Sequence, residues 1–133
     1  LKKSGLFRAI INFSREKPVM GTCAGLITLS TRVINSEMET LGLIEMSVER
    51  NGFGRQINSF IDTVSLCLND KSGNIEGYFI RAPRIIETGP ECTEMGWYKE
   101  EPVLVRSRNI LVMTFHPELT TDTSIHQYFI EEM

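Results

Sequence analysis

Apolar positions along the chain fall into short runs separated by polar turns, and the runs differ in period. Leu6, Phe7, Ile10, Ile11 and Phe13 recur at roughly helical spacing and predict an amphipathic helix near the start. Pro18-Val19-Met20 has the character of a short buried strand. Leu26-Ile27-Thr28-Leu29-Ser30 continues as a helix after a tight turn, so helix, strand and helix occupy residues 6–34. A polar loop over 35–40 leads to a strand at 43–48. Further strands are predicted at 59–68, 77–80, 103–107 and 110–115, divided by turn signals at 69–74 and 88–90. Ile110-Leu111-Val112-Met113-Thr114-Phe115 is apolar almost throughout, as expected of a strand covered on both faces. Ser107-Arg108-Asn109 predicts a hairpin on an antiparallel part of the sheet, and Asp122 an N-cap for a last helix over 122–132. Mixed strands and helices in this order predict a doubly wound α/β domain spanning residues 1–133, with no internal repeat or linker.

Gly21-Thr22-Cys23-Ala24-Gly25 lies at the first strand-to-helix turn. This is the spacing of a nucleophile elbow with sulfur in place of oxygen, in which small neighbours relieve the crowding around a sharply turned central residue. Gly21 and Gly25 are expected to do so here. A thiol at a helix N-terminus is expected to have a lowered pKa, and the N–H of Ala24 is placed to donate to an oxyanion. His116 follows the strand at 110–115, at the edge of an α/β sheet where sites assemble. In an extended segment Glu118 points the same way as His116, with Pro117 stiffening the link, so the carboxylate can hold the imidazole in one tautomer. A cysteine nucleophile, a histidine base and a carboxylate are the three parts that thiol-based acyl transfer needs.

Composition narrows the setting. Of 133 residues, 41% are apolar and 23% charged, ordinary values for a globular domain. The net charge of −3 argues against nucleic acid, and no apolar run approaches a membrane span. Cys23, Cys67 and Cys92 are an odd number without close pairing, so the cytoplasm rather than an oxidising compartment is expected. Cys67, in a strand-like run, is expected in the core; Cys92, among turn residues, is expected to be a bystander. No metal-ligand spacing is present and no cofactor is implied. His126 is expected on a helix face, away from catalysis.

The Gly21–Gly25 and His116-Pro117-Glu118 blocks resemble the class I, triad-type glutamine amidotransferases. Val48-Glu49-Arg50-Asn51-Gly52-Phe53-Gly54-Arg55-Gln56 and Phe79-Ile80-Arg81-Ala82-Pro83 are similar to the branch that serves as the glutaminase subunit of pyridoxal 5′-phosphate synthase in vitamin B6 biosynthesis. Ile27, where many other branches carry glutamine, agrees with that branch. The resemblance implies a three-layer, mostly parallel, flavodoxin-like sheet. It implies that Cys23 attacks the amide carbon of L-glutamine, His116 moves the protons and Glu118 orients His116, through a glutamyl thioester. Arg50, Ile80 and Arg81 match positions that contact glutamine, although Arg50 and Arg55 taken alone read as surface charge. The implied partner is a (β/α)₈-barrel synthase subunit that consumes the ammonia in a heteromeric complex.

The family's domain begins with strands ending in a Gly-Gly-Glu-Ser loop that supplies a second oxyanion donor, and no such sequence occurs here. The chain is therefore expected to lack its N-terminal portion. Two other readings stay open: a class I amidotransferase of another pathway, and a non-catalytic partner that regulates a synthase.

Overall fold

The computed structural model describes residues 5–50 and 59–133. Helix α1 (Gly5–Ser14) forms as the periodicity predicts, yet Leu6 and Phe13 stay more than half exposed. Strand β1 (Val19–Thr22) leads through Cys23 into α2 (Ala24–Leu29). That helix is shorter than expected, because Ser30–Val33 is strand β2. The β-branched Thr31 and Val33 suit a strand, and Thr31 Oγ1 both donates to Met46 O at 2.9 Å and accepts the Met46 N–H at 3.2 Å.

Strands β3 (Ile44–Glu49), β4 (Ser59–Leu68), β5 (Lys71–Ile80), β6 (Arg84–Thr88), β7 (Thr93–Tyr98), β8 (Glu101–Ser107) and β9 (Ile110–Met113) follow, then a 3₁₀ turn at Pro117–Leu119 and helix α3 (Ser124–Glu132). Asp122 does not cap α3 directly. Thr123 holds that position, while the Asp122 carboxylate accepts the Ser124 N–H at 2.9 Å. The apolar pattern did not announce β6 and β7. In β7 the pattern is broken by Gly96, and β6 offers only two apolar residues after Pro83. The segment 71–74 is strand rather than turn. Its polar residues are all exposed, so its composition records solvent, not chain reversal.

Six strands form one sheet in the order β1-β9-β8-β7-β4-β5, and β2-β3-β6 form a second. The pairs β1/β9 and β2/β3 are parallel, as a doubly wound fold expects, whereas the other five pairs are antiparallel. The cause is local for three of these. Asn69-Asp70, Lys99-Glu100 and Arg108-Asn109 are two-residue turns carrying positive φ, which can only join antiparallel neighbours.

Strand β9 is buried at all four positions and lies between two layers. Leu111 and Met113 pack with Phe79, Phe115 and α3's Ile125 and Tyr128, while Ile110 and Val112 pack with Leu26 and Leu29 of α2, Val33 and Val48. Cys67 faces away from Val64 and Leu66 on β4 and is only half-buried, so it is not the core residue expected. Asn109 fixes β1 beside β9: its amide donates to the carbonyls of Ser14 and Lys17, and its own carbonyl accepts the Val19 N–H at 2.9 Å.

The large sheet curls. In a flat sheet β1 and β5 would stand five spacings apart, roughly 24 Å. Yet the residue after β1, Cys23, touches the last residue of β5, Ile80. Register shifts around Gly96 between β7 and β8 add twist, and a side chain there would meet Leu104 Cβ at 2.8 Å. Curling carries the free edge of β5 round to the ends of β1 and β9.

The elbow glycines differ. A Cβ on Gly21 would stand 2.7 Å from Leu29 Cδ1 and 2.9 Å from the Gly25 backbone, whereas a Cβ on Gly25 would meet nothing within 4 Å. Only Gly21 is required by crowding. We expect Gly21→Ala to cost about 1–3 kcal/mol and Gly25→Ala to be neutral or stabilising by up to ~1 kcal/mol. Urea denaturation midpoints at constant m-value measure both.

Candidate active site

The register of β1 with β9 aligns Thr22 with Met113, so Cys23 and His116 both emerge just beyond one paired position. The Cys23 N–H donates to Met113 O at 2.9 Å and closes that end of the sheet. Cys23 itself has φ 50° and ψ −106°, a conformation that costs a non-glycine residue about 1–3 kcal/mol. The strain is that of a nucleophile elbow and turns the thiol out of the strand. Its Sγ–H donates to the Ile80 carbonyl at 3.5 Å.

His116 reaches the same place from β9. Its backbone N–H donates to Tyr78 O at 2.8 Å, and the fully buried rings of Phe79 and Phe115 pack at 5.7 Å immediately beside it. The Nδ1 of His116 lies 2.7 Å from Glu118 Oε2. The segment is a 3₁₀ turn rather than extended, so the pair meets by tight winding with Pro117 at its start. With Nδ1–H donating to the carboxylate, Nε2 carries the lone pair and is the atom able to take a proton. The carboxylate is half exposed and the imidazole about one-fifth exposed, so the pair is within reach of a solute.

Electrostatics correct one expectation. Partial burial pushes the Cys23 thiol above its ordinary pKa, the Ala24 N–H works in the opposite direction, and the Glu118 charge raises it further. These surroundings favour the thiol over the thiolate, the reverse of what a helix N-terminus alone predicts. For Glu118, burial works upward. The backbone N–H of Glu118, the hydrogen bond from His116 and the charges of His116 and His126 outweigh it and hold the carboxyl below its ordinary range.

Ala24 follows Cys23 at the first position of α2, with its N–H beside the sulfur. Ile80 and Arg81 are brought to Cys23. Arg50 is exposed in the turn after β3, and Arg55 lies outside the described residues. His126 is nearer the site than expected, since α3 places it where its charge acts on Glu118. Tyr78 was missed because it acts through its backbone carbonyl, which no side-chain pattern reveals. Cys92 donates to Glu45 O at 3.3 Å, apart from these groups.

The SNO glutamine amidotransferase family matches residues 1–133, the whole chain. The chain belongs to that family. A relative from Thermosipho africanus (strain TCF52B) is 46% identical over 113 residues, which cover 85% of this chain and 59% of the relative. One from Francisella tularensis subsp. novicida (strain U112) is 46% identical over 130 residues, covering 98% of this chain and 68% of the relative. Both are named pyridoxal 5′-phosphate synthase subunit PdxT. A solved structure described as a glutamine amidotransferase superposes with a TM-score of 0.88 at 36% identity, covering 98% of this chain and 69% of that one. This member of the SNO family thus spans roughly two thirds of the length of the proteins it matches.

Alkylation of Cys23 by iodoacetamide should rise with pH to a half-point above that of free cysteine. Glu118→Gln should lower this half-point by removing a nearby negative charge. Subtracting the Cys23→Ala rate isolates Cys23. A half-point that ignores Glu118→Gln would show that the carboxylate does not act on the thiol.

Proposed function

We propose that the chain carries the catalytic centre of a glutaminase that hydrolyses L-glutamine to L-glutamate and ammonia and supplies the ammonia to a pyridoxal 5′-phosphate synthase. The observation that carries this reading is the His116–Glu118 pair at 2.7 Å, held beside an elbow cysteine at the end of one sheet. Glu118 orients the His116 imidazole, and the 3₁₀ turn brings the two side chains together.

Nε2 of His116 takes the Cys23 proton as sulfur attacks the amide carbon, and the negative charge that develops on oxygen is met by the Ala24 N–H. His116 then gives the proton to the departing nitrogen, and ammonia leaves a glutamyl thioester. Water, deprotonated by His116, attacks the thioester carbon, and the C–S bond breaks to release glutamate and restore the thiol. Arg50 or Arg81 supplies a guanidinium for the substrate's α-carboxylate, and the backbone of Ile80 receives its ammonium end. No metal or other cofactor enters these steps.

Ammonia is protonated and lost by diffusion in water, so an acceptor subunit must receive it directly. The names of the relatives point to a synthase, and we assign this role to a (β/α)₈-barrel subunit docked on the crevice side. Cys23, Cys67 and Cys92 are all free thiols, which suits a reducing cytoplasm. No helix among the described residues is long and apolar enough to cross a membrane.

The test is glutamate release by the complete polypeptide, with and without the synthase subunit. Release should increase on adding the synthase and fall by more than about 10⁴-fold in Cys23→Ala. Release that the synthase leaves unchanged would favour an amidotransferase of another pathway. No release in either condition would overturn the glutaminase reading and favour a regulatory partner.

A further inference from the structure

Eight non-glycine residues among those described have positive φ. Six lie in turns: Asn35 after β2, and Asn69, Asp70, Lys99, Glu100 and Arg108 in the two-residue hairpins. The other two are Cys23, at φ 50°, and Arg81, at φ 46°, and neither joins paired strands. They meet through one hydrogen bond. The Ile80 carbonyl, which accepts the Cys23 Sγ–H at 3.5 Å, belongs to the peptide whose nitrogen is that of Arg81.

That peptide has little freedom. Before it, Phe79 is fully buried and stacks on Phe60 at 4.7 Å; after it, Ala82 and Pro83 are buried. With both flanks fixed, φ of Arg81 sets the plane of the Ile80–Arg81 peptide and so the direction of the carbonyl. An extended Arg81 would turn that carbonyl away from the sulfur. Arginine has no intrinsic preference for the left-handed region, so the packing on either side must impose it.

We propose that Arg81 is a positioning residue for the nucleophile: its left-handed backbone aims the Ile80 carbonyl at Cys23, where it engages the resting thiol. A hydrogen bond to the neutral form of an acid disfavours ionisation, so the carbonyl keeps the sulfur unreactive until the contact opens and His116 can take the proton. The inference rests on Cys23 being the nucleophile, but its tests need no glutamine. The ionisable groups around the contact are Glu118 and His116 of the 3₁₀ segment, His126 of α3 acting on Glu118, and Arg81 itself.

Two variants separate backbone from charge. Arg81→Gly removes the guanidinium and accepts positive φ, whereas Arg81→Val removes the same charge and resists it. We expect the pH half-point of Cys23 alkylation to lie about half a unit lower in Arg81→Val than in Arg81→Gly, equivalent to roughly threefold faster alkylation below the half-point. Circular dichroism confirms that both variants are folded. Independently, the infrared S–H band in the parent-minus-Cys23→Ala difference spectrum should be displaced to lower frequency, as for a hydrogen-bonded thiol, and should move back in Arg81→Val. Equal half-points in the two folded variants would overturn the proposal. So would a parent S–H band at the free-thiol position, which decides the matter even if Arg81→Val does not fold. Loss of glutamine hydrolysis with both thiol signatures intact would instead count against the glutaminase reading alone.

Discussion

Two carbonyls on the free edge of β5 hold the site together. In an antiparallel pair, residues alternate between facing the neighbour and facing outward, so Tyr78 and Ile80 present their carbonyls away from β4. Left unpaired in a partly buried place, each would cost a desolvated acceptor. The His116 N–H satisfies one and the Cys23 Sγ–H the other. His116 and Cys23, which come from opposite ends of the sequence, are thus both tied to one strand. This is possible only because the sheet curls, and the Phe79–Phe115 ring contact is the apolar counterpart of the same closure.

Burial first, and the Glu118 charge after it, disfavour ionisation of Cys23. Glu118 has two contacts here: it lies 2.7 Å from His116 Nδ1, and its charge disfavours a thiolate at Cys23. The Ala24 N–H is the feature beside the sulfur that favours negative charge, and it is the same group suited to an oxyanion. Under the proposed chemistry, stabilisation would then be aimed at charge that forms during reaction rather than at charge present at rest.

Much of this was legible in the sequence, for identifiable reasons. Strand β9 was readable because burial on both faces leaves an unbroken apolar run, and the elbow because glycine spacing around Cys23 reflects real crowding at Gly21. The segment 59–68 was found to its last residue. What failed did so where tertiary contacts decide. Ser30–Val33 leaves the helical path because β3 offers a partner, and the polar half of β5 looks like a turn because neither of its faces is buried. The thiol's raised pKa followed from burial, which a helix-terminus argument alone does not contain. The roles of Tyr78 and Ile80 are carried by backbone atoms, and side-chain identity is silent about those.

The strain at Cys23 depends on the packing beneath it. An elbow at φ 50° persists only if neighbouring contacts oppose its relaxation, and here they lie in α2 and β9. Leu26 and Leu29 are almost wholly buried, Leu29 closes directly over Gly21, and the Cys23 N–H is pinned to Met113 in a strand buried at every position. These contacts stabilise the domain and also hold the sulfur away from a relaxed strand geometry. A cavity under α2 would therefore free the elbow before it unfolded the sheet. On the α2 side it is the density of the core, not its chemistry, that keeps the Cys23 thiol turned out of the strand.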